Sequence, residues 1–519
     1  MKNDDISAAW AYHNGTKHSL RSVREGRHFL DWENQPLPFK IYRHLEALRL
    51  PEDLSSSGVP ALSALSTSTS DEGRAVLTRQ SLAEILFLSA GITRRRPYPG
   101  GEMLFRAAAC TGALYHIDLY IVGVLEDLKA GVYQFSPQDF ALRKLRDGDF
   151  RSVLIQASGE EPSIATASCV VVCASTFWRN AWKYQSRAYR HCFWDTGTII
   201  GNLLAAASAR EIPANVVAGF VDTAVSRLVG LDVGREAPIA LVALGNTAHP
   251  ASKAAVIVEP LGIETEPLSK TEVDYPAMRR MHEASALPSA AEVTAWRAGT
   301  TSVQVQSTNL DRQQIGRTFA LHPLDAAALP NDSIEDVIVR RGSTREFARE
   351  PIAFEQLSTV LERASGDLSA DFLTASEPSL NDIYLIVNAV TGLPPGAYFF
   401  QRAQRALELL NEGDFRREAG HLGLGQEIPA DCSVNIYFLA DLNRALARFG
   451  NRGYRAAQLE AAIEAGKSYL AAYAVGIGAT GLTFFDDDVT RFFAPLATRE
   501  GVMFLVACGR TRPSAAPRR

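Results

Sequence analysis

Cysteine, methionine and tryptophan are scarce in this chain, with 6, 5 and 6 copies in 519 residues. None of the cysteines, Cys110, Cys169, Cys173, Cys192, Cys432 and Cys508, forms a C-x-x-C pair or stands with histidine at zinc spacing. That argues against a zinc site and against a dithiol redox centre. Cys169 and Cys173 lie in ASCVVVCAS, a run with the pattern of a buried strand, and are expected to be inert core thiols. There is no H-E-x-x-H and no G-K-[ST], so zincin hydrolysis and P-loop phosphoryl transfer are poor fits and no metal site is expected. Basic residues are not in excess: 53 Lys and Arg stand against 58 Asp and Glu, without a long basic run. Composition therefore gives no signal for nucleic acid. No apolar run reaches transmembrane length, and MKNDDISAAWAYHNG has no apolar signal core. The expectation is a cytoplasmic protein with neither a membrane nor a nucleic-acid partner.

What is present is a duplication. GVYQFSPQDFALRKLRDGDFR, from Gly131, returns as GAYFFQRAQRALELLNEGDFR, from Gly396, an offset of 265 residues. The same offset places Tyr184, Arg187, Tyr189 and Arg190 on Phe449, Arg452, Tyr454 and Arg455, and Gly201 on Gly466. One offset held over so long a stretch indicates a tandem copy of a whole domain, not a solenoid of short repeats. The boundaries expected are 1–246 for the first copy with an N-terminal extension, 247–330 for a Pro-, Ser- and Ala-rich connector, 331–512 for the second copy and 513–519 for a loose tail. Ala-rich helices alternate with strands such as LYIVGVL and VNIYFLAD, which predicts α+β domains, each a central mixed or antiparallel sheet flanked by helices. Gly197, Gly201 and Gly466 fall in mid-helix, where glycine costs about 1 kcal/mol. Close approach of two helices would offset that cost, and the two copies are expected to dock through them as an intrachain pseudo-dimer.

Near the C-terminus, Gly476-Ile477-Gly478-Ala479-Thr480-Gly481 matches G-x-G-x-x-G. Helix-forming sequence precedes it and the strand-like LTFF follows, the reverse of the order a dinucleotide fold requires. Two readings remain: a helix C-cap with glycine at positive φ, or a loop that approaches a flat cofactor. A second cluster, SIEDVIVRRGSTREF, begins with Ser333 as a helix N-cap. Arg341, Ser343 and Arg345 alternate after it, so in extended backbone they point the same way. Two guanidiniums and a hydroxyl would suit a phosphate; an exposed basic helix end is the plainer alternative.

RRGSTREF together with the terminal VACGR resembles the flavin-dependent nitroreductase superfamily. The resemblance implies that Arg341, Ser343, Arg345 and Arg510 hold the phosphate and ribityl chain of FMN. It implies that Ala479, Thr480, Gly481 and Leu482 lie beside the isoalloxazine. The first copy, through YHNGTKHS, LDWENQPLPFKIY, FRAAACTGALYHIDLYIV and WKYQSRAYRHCFWDTGTIIGNLL, resembles the thiazoline/oxazoline dehydrogenase branch. In that branch a small-residue loop faces the flavin held by the opposite subunit. Here the loop is Cys110, Thr111, Gly112, Ala113 and Leu114, with Cys110 and Ala109 in place of the usual serine and proline. The adjacent Lys183 and Tyr184 match the catalytic pair of the branch.

The copies have diverged in a complementary way. The first has Asn246 where the second has Arg510, and it has no R-x-S-x-R; the second has Arg448 and Phe449 in place of Lys183 and Tyr184. The retained parts make one composite site, so one FMN per chain is expected at the domain–domain interface. Oxidising an azoline to an azole sends a hydride to the flavin and a proton to a base. Lys183 would be that base, neutral when it acts and favoured so by burial or by Arg187, with Tyr184 orienting or relaying. The substrate would be peptide-derived or a small molecule, with biosynthetic complex partners and further oligomerisation left open. Two alternatives stand beside this reading: a general NAD(P)H-dependent nitro or quinone reductase, and a non-catalytic flavin-binding scaffold partner.

Overall fold

The computed structural model describes residues 2–26, 28–66, 75–99, 101–247, 249–251, 256–299 and 316–512. The expected tail, 513–519, and part of the expected connector lie outside the described residues.

Runs rich in β-branched and aromatic residues form two seven-stranded antiparallel sheets. The first consists of β1 (Ala47–Arg49), β2 (Ile117–Leu125), β3 (Leu128–Ser136), β4 (Ala141–Asp147), β5 (Ala167–Thr176), β6 (Ala214–Val217) and β7 (Glu236–Asn246). The second consists of β8 (Thr318–Ala320), β9 (Asn381–Val387), β10 (Gly396–Gln401), β11 (Ala406–Glu412), β12 (Val434–Asp441), β13 (Gly478–Leu482) and β14 (Glu500–Gly509). Their spatial orders, β1-β4-β3-β2-β5-β7-β6 and β8-β11-β10-β9-β12-β14-β13, are the same permutation. The chain is thus two tandem α+β domains of one topology. β5 is buried along its whole length, as a strand covered on both faces must be, and its thiols Cys169 and Cys173 are pushed up to about 12 by burial. β8 lies inside the stretch expected to be a connector, yet it pairs with β11 as the edge of the second sheet.

The helices that matter for the site are α1 (Ser7–Gly15), α2 (Phe177–Tyr184), α3 (Ala188–Ser208), α4 (Asp222–Val229), α5 (Pro276–Ala284), α6 (Ala290–Arg297), α7 (Leu442–Phe449), α8 (Asn451–Ala474) and α9 (Asp486–Phe492). α3 and α8 cross at the centre of the molecule. The mid-helix glycines make that crossing: a Cβ on Gly197 would collide with Ala462, and one on Gly466 would stand 3.1 Å from the Thr198 Cα.

Reciprocal ion clusters lock the two domains. Arg187 and Arg190 of the first grip Asp486 of the second at 3.1 and 2.6 Å. Arg452 and Arg455 of the second grip Asp222 of the first, both at 2.6 Å. All six residues are buried. Burial would raise both carboxyls, but the paired guanidiniums prevail and hold them below the usual carboxylate range. The spare guanidinium donors find carbonyls: Arg187 and Arg190 bond those of Thr16 and His13 at and just past the end of α1, while Arg455 and Arg452 bond those of His282 and Ser285 in and just past α5. α1 and α5 therefore do the same work for opposite domains, although α5 lies in the expected connector.

Candidate functional site

Three separated segments of the second domain meet at one edge. Ser333 caps its helix by accepting from the Asp336 N–H, and the chain leaves that helix at Arg341. The Thr344 N–H then donates to the Ala479 carbonyl at 2.9 Å, and the Ala348 N–H to the Arg510 carbonyl at 2.9 Å. Arg341, Ser343, Arg345, the β13 residues and Arg510 are so gathered. The glycine segment is itself strand from Gly478 onward, earlier than the LTFF run suggests. Glycine permits this, because a Cβ at Gly478 would collide with the Thr344 hydroxyl. Gly476, at φ 77°, ends the preceding helical run, so the C-cap reading holds there. Ala479 and Thr480 are buried, whereas Gly481 and Leu482 are half-buried and reach the cleft.

The alternation expected of Arg341 and Arg345 is realised in a different form. Arg341 turns into the first domain and donates to the Ala107 carbonyl at 2.7 and 3.0 Å and to the Arg106 carbonyl at 3.2 Å. Arg345 stays exposed, with no carboxylate partner among the described residues. Arg510 is exposed too; its Nε donates to the Pro351 carbonyl at 3.1 Å.

The first domain brings up its own set. The loop from Cys110 to Leu114 turns through Gly112 at φ 66° and Ala113 at φ 54°. Its base is tied to the Asp195 carboxylate on α3, which accepts from the Thr111 N–H at 2.9 Å and from the Thr111 hydroxyl at 2.8 Å. Tyr184, at the end of α2, lies against this turn: a Cβ at Gly112 would stand 2.7 Å from its hydroxyl. The Tyr184 ring meets His191 edge-on at 4.7 Å, and the Lys183 ammonium lies 5.4 Å from the Tyr184 ring centre. Burial raises the Tyr184 phenol, Asp195 and Cys110 raise it further, and Arg345 of the second domain opposes them. Lys183 is half-buried and has no ion-pair partner among the described residues. Arg187, expected beside it, spends its charge on Asp486.

The twin cleft has a different content. β6 corresponds to β13, but its Val216 and Val217 are buried. The segment 369–371 of the second domain runs along it: the Val216 N–H donates to the Ser369 carbonyl at 3.0 Å and the Asp371 N–H to the Val216 carbonyl at 3.1 Å. The Asp371 carboxylate accepts from the Ala218 and Gly219 N–H groups at 2.8 and 2.9 Å. Trp296 of α6 packs on Phe449 at 5.1 Å, and Arg448 stacks on Phe449 and pairs with Glu377. The chain itself fills this cleft. Sequence reasoning missed Asp195, Asp222, Asp371 and Asp486. A signal existed for one pair: FVD, ending at Asp222, and FFD, ending at Asp486, recur at nearly the repeat offset.

Comparison with known proteins agrees with the duplication. The nitroreductase family pattern matches the chain twice, at residues 79–246 and 338–510. The chain is 25% identical over 182 residues to a Methanocaldococcus jannaschii protein named as a nitroreductase, covering 34% of this chain and 90% of that one. It is 26% identical over 163 residues to the microcin B17-processing protein McbC of Escherichia coli, covering 29% of this chain and 54% of that one. The match thus spans about half the length of that second relative. Among solved structures, one from Anabaena variabilis described as a nitroreductase superimposes with a TM-score of 0.77 at 25% identity, covering 98% of this chain and 100% of that one.

Proposed function

The chain belongs to the nitroreductase family, and on that premise we propose that it is an FMN-dependent dehydrogenase or oxidase with one cofactor site per chain, acting on azoline rings of a peptide-derived substrate. One observation carries the proposal: the two retained half-sites interlock across the domain boundary. Arg341 reaches the Ala107 carbonyl at 2.7 Å, three residues before the loop whose Gly112 lies against Tyr184.

The residues present fit the cofactor. Arg345 and Arg510 are exposed cations on one edge, suited to a phosphate. The Thr483 hydroxyl, just beyond β13, is buried without a hydrogen-bond partner, and buried polar groups ordinarily have one. Arg345, Arg510 and Ser343 would hold the phosphate and ribityl chain. Gly481 and Leu482 from one domain, and Gly112 and Ala113 from the other, would border the ring. When bound, the flavin supplies a hydride acceptor. Lys183 would take the proton from the substrate carbon. It lies 5.4 Å from the Tyr184 ring centre and has no ion-pair partner among the described residues. Tyr184, kept protonated, would donate a hydrogen bond that orients the substrate. The azoline substrate is supported by the resemblance of the first domain to the azoline dehydrogenases and by the similarity of the chain to the microcin B17-processing protein.

The experiment is to denature the purified chain and count the released flavin. About one FMN per chain supports the composite site, and about two overturns it. No flavin after incubation with FMN brings the scaffold reading forward. Ready reduction of bound flavin by NAD(P)H, with turnover indifferent to Lys183→Ala, would favour the general reductase.

A further inference from the structure

The Asp195 carboxylate belongs to a larger assembly than the function above requires. It is buried on α3. Besides the two bonds from Thr111, it accepts from the Cys110 thiol at 3.0 Å and meets His116 Nε2 at 2.8 Å. Four donors fill the acceptor sites of a carboxylate. Behind it, His116 Nδ1 meets the Ser175 hydroxyl at 2.8 Å, and the Cys192 thiol donates to that hydroxyl at 3.2 Å. One histidine tautomer satisfies every group: Nε2–H donates to Asp195, and Nδ1 accepts from Ser175. A histidine held this way fixes the carboxylate in turn.

These bonds converge on a strained segment. Ala113 and Tyr115 hold φ of 54° and 45° without being glycine. Such residues are strained and persist where their surroundings fix them. The Tyr115 N–H donates to the Cys110 sulfur at 3.1 Å, closing the turn on the same anchor. The twin position on α8 behaves alike: Glu460 accepts from the Leu380 N–H at 2.9 Å and from the Asn381 amide at 2.6 Å. Each long helix thus carries a buried carboxylate, Asp195 or Glu460, that holds the loop of its own domain. In the first domain the loop so held presents Gly112 to Tyr184 at the open cleft.

We infer that Asp195 is a positioning residue: through Thr111 and Cys110 it holds the 110–114 turn in its left-handed form against Tyr184, with His116 and Ser175 fixing the carboxylate. The anchoring stands on geometry alone, and its effect on the cofactor rests on the function proposed above. Two measurements on the full chain separate them. In amide hydrogen exchange, the peptide covering 110–115 is expected to exchange at least tenfold faster in Asp195→Ala than in the wild type, with Asp195→Glu recovering part of the protection. FMN affinity is expected to fall at least tenfold in Asp195→Ala. Should that variant not fold, Thr111→Val removes a single bond to the same carboxylate, and a severalfold rise in local exchange is expected. Unchanged exchange at 110–115 in a folded variant would overturn the anchor. Faster exchange with unchanged FMN affinity would overturn its role toward the cofactor. A wild-type chain that binds no FMN would sink the proposed function and leave the exchange result to decide the anchor.

Discussion

The two clefts between the domains are the same place built twice, and in only one does a segment of the opposite domain pair along the edge strand. Both lie at the end of a long central helix, beside a short edge strand, with a loop from the opposite domain across from it. In one, Gly481 and Leu482 are half-buried, and Arg345 and Lys183 have no carboxylate partner among the described residues. In the other, Val216 and Val217 are buried, and Asp371 takes the backbone donors Ala218 and Gly219. The frame around them stays symmetric to the level of the ion clusters. Duplication therefore preserved what docks the domains and released what lines one cleft. A single chain can do this where a homodimer cannot, because in a homodimer each substitution appears in both clefts.

The largest effect is expected where the symmetry is strictest. Asp222→Ala and Asp486→Ala each leave two buried guanidiniums without their carboxylate, and each should cost about 3–5 kcal/mol in urea or thermal unfolding. The two losses should be nearly equal; a twofold disparity would show that the frame is not symmetric. Acid should act in the same direction. Both carboxyls are held below their ordinary value, so the stability they contribute is complete above about pH 4 and is lost as pH falls through the lowered values. His282 beside Asp222, which burial lowers to about 3, adds a loss of the same sign that begins below about pH 6.5. Unfolding measured below about pH 4 should show the share contributed by these two carboxylates being lost, and Asp222→Ala or Asp486→Ala should blunt that loss.

The next effect separates the clefts. Lys183→Ala should lower turnover by about 10²-fold or more while bound FMN stays, as expected for loss of a general base. Arg448→Ala, at the twin position, should leave turnover within about twofold, since Arg448 is engaged with Phe449 and Glu377 and not with the cleft that holds Lys183. Equal losses would mean that both clefts work. Smaller still, Arg345→Ala should weaken FMN by about 10–100-fold through the loss of one charge-assisted contact of about 1.5–3 kcal/mol. Equilibrium titration with FMN checks it; unchanged affinity would remove Arg345 from the phosphate site.

How much of this was legible depends on whether a feature repeats along the chain or across space. The duplication, the α+β class and the close crossing at Gly197, Gly201 and Gly466 were readable because a fixed offset and a mid-helix glycine are local signals. The convergence of 341–348, β13 and 510 on one edge was readable only through resemblance, since those segments meet by tertiary pairing. The inward turn of Arg341 was not readable: its acceptors are main-chain carbonyls at 106 and 107, and carbonyls leave no mark in a sequence. The connector misled for a physical reason. α5 and β8 are short, and their sequence has drifted from α1 and β1, while the carbonyls that take the arginine donors and the ladder bonds of the edge strand are main-chain groups that tolerate drift.

The smallest effect is also the sharpest test of why the second cleft is closed. If the plug alone excludes a cofactor, opening it should restore a second site. If the loss of arginines came first, opening it should change nothing. Asp371→Ala with Trp296→Ala removes the carboxylate that caps Ala218 and Gly219 and the indole packed beside them. The cleft would still have Asn246 where its twin has Arg510, and Phe449 where its twin has Tyr184. Cofactor phosphates bind through charge-assisted donors, and no cleft made merely spacious supplies those. FMN per chain should therefore stay at about one in the double variant, with the open cleft binding as before. A rise toward two would show that the plug, and not the missing cations, made this a one-site chain, and Asp371 would then stand where a cofactor once accepted the same two backbone hydrogen bonds.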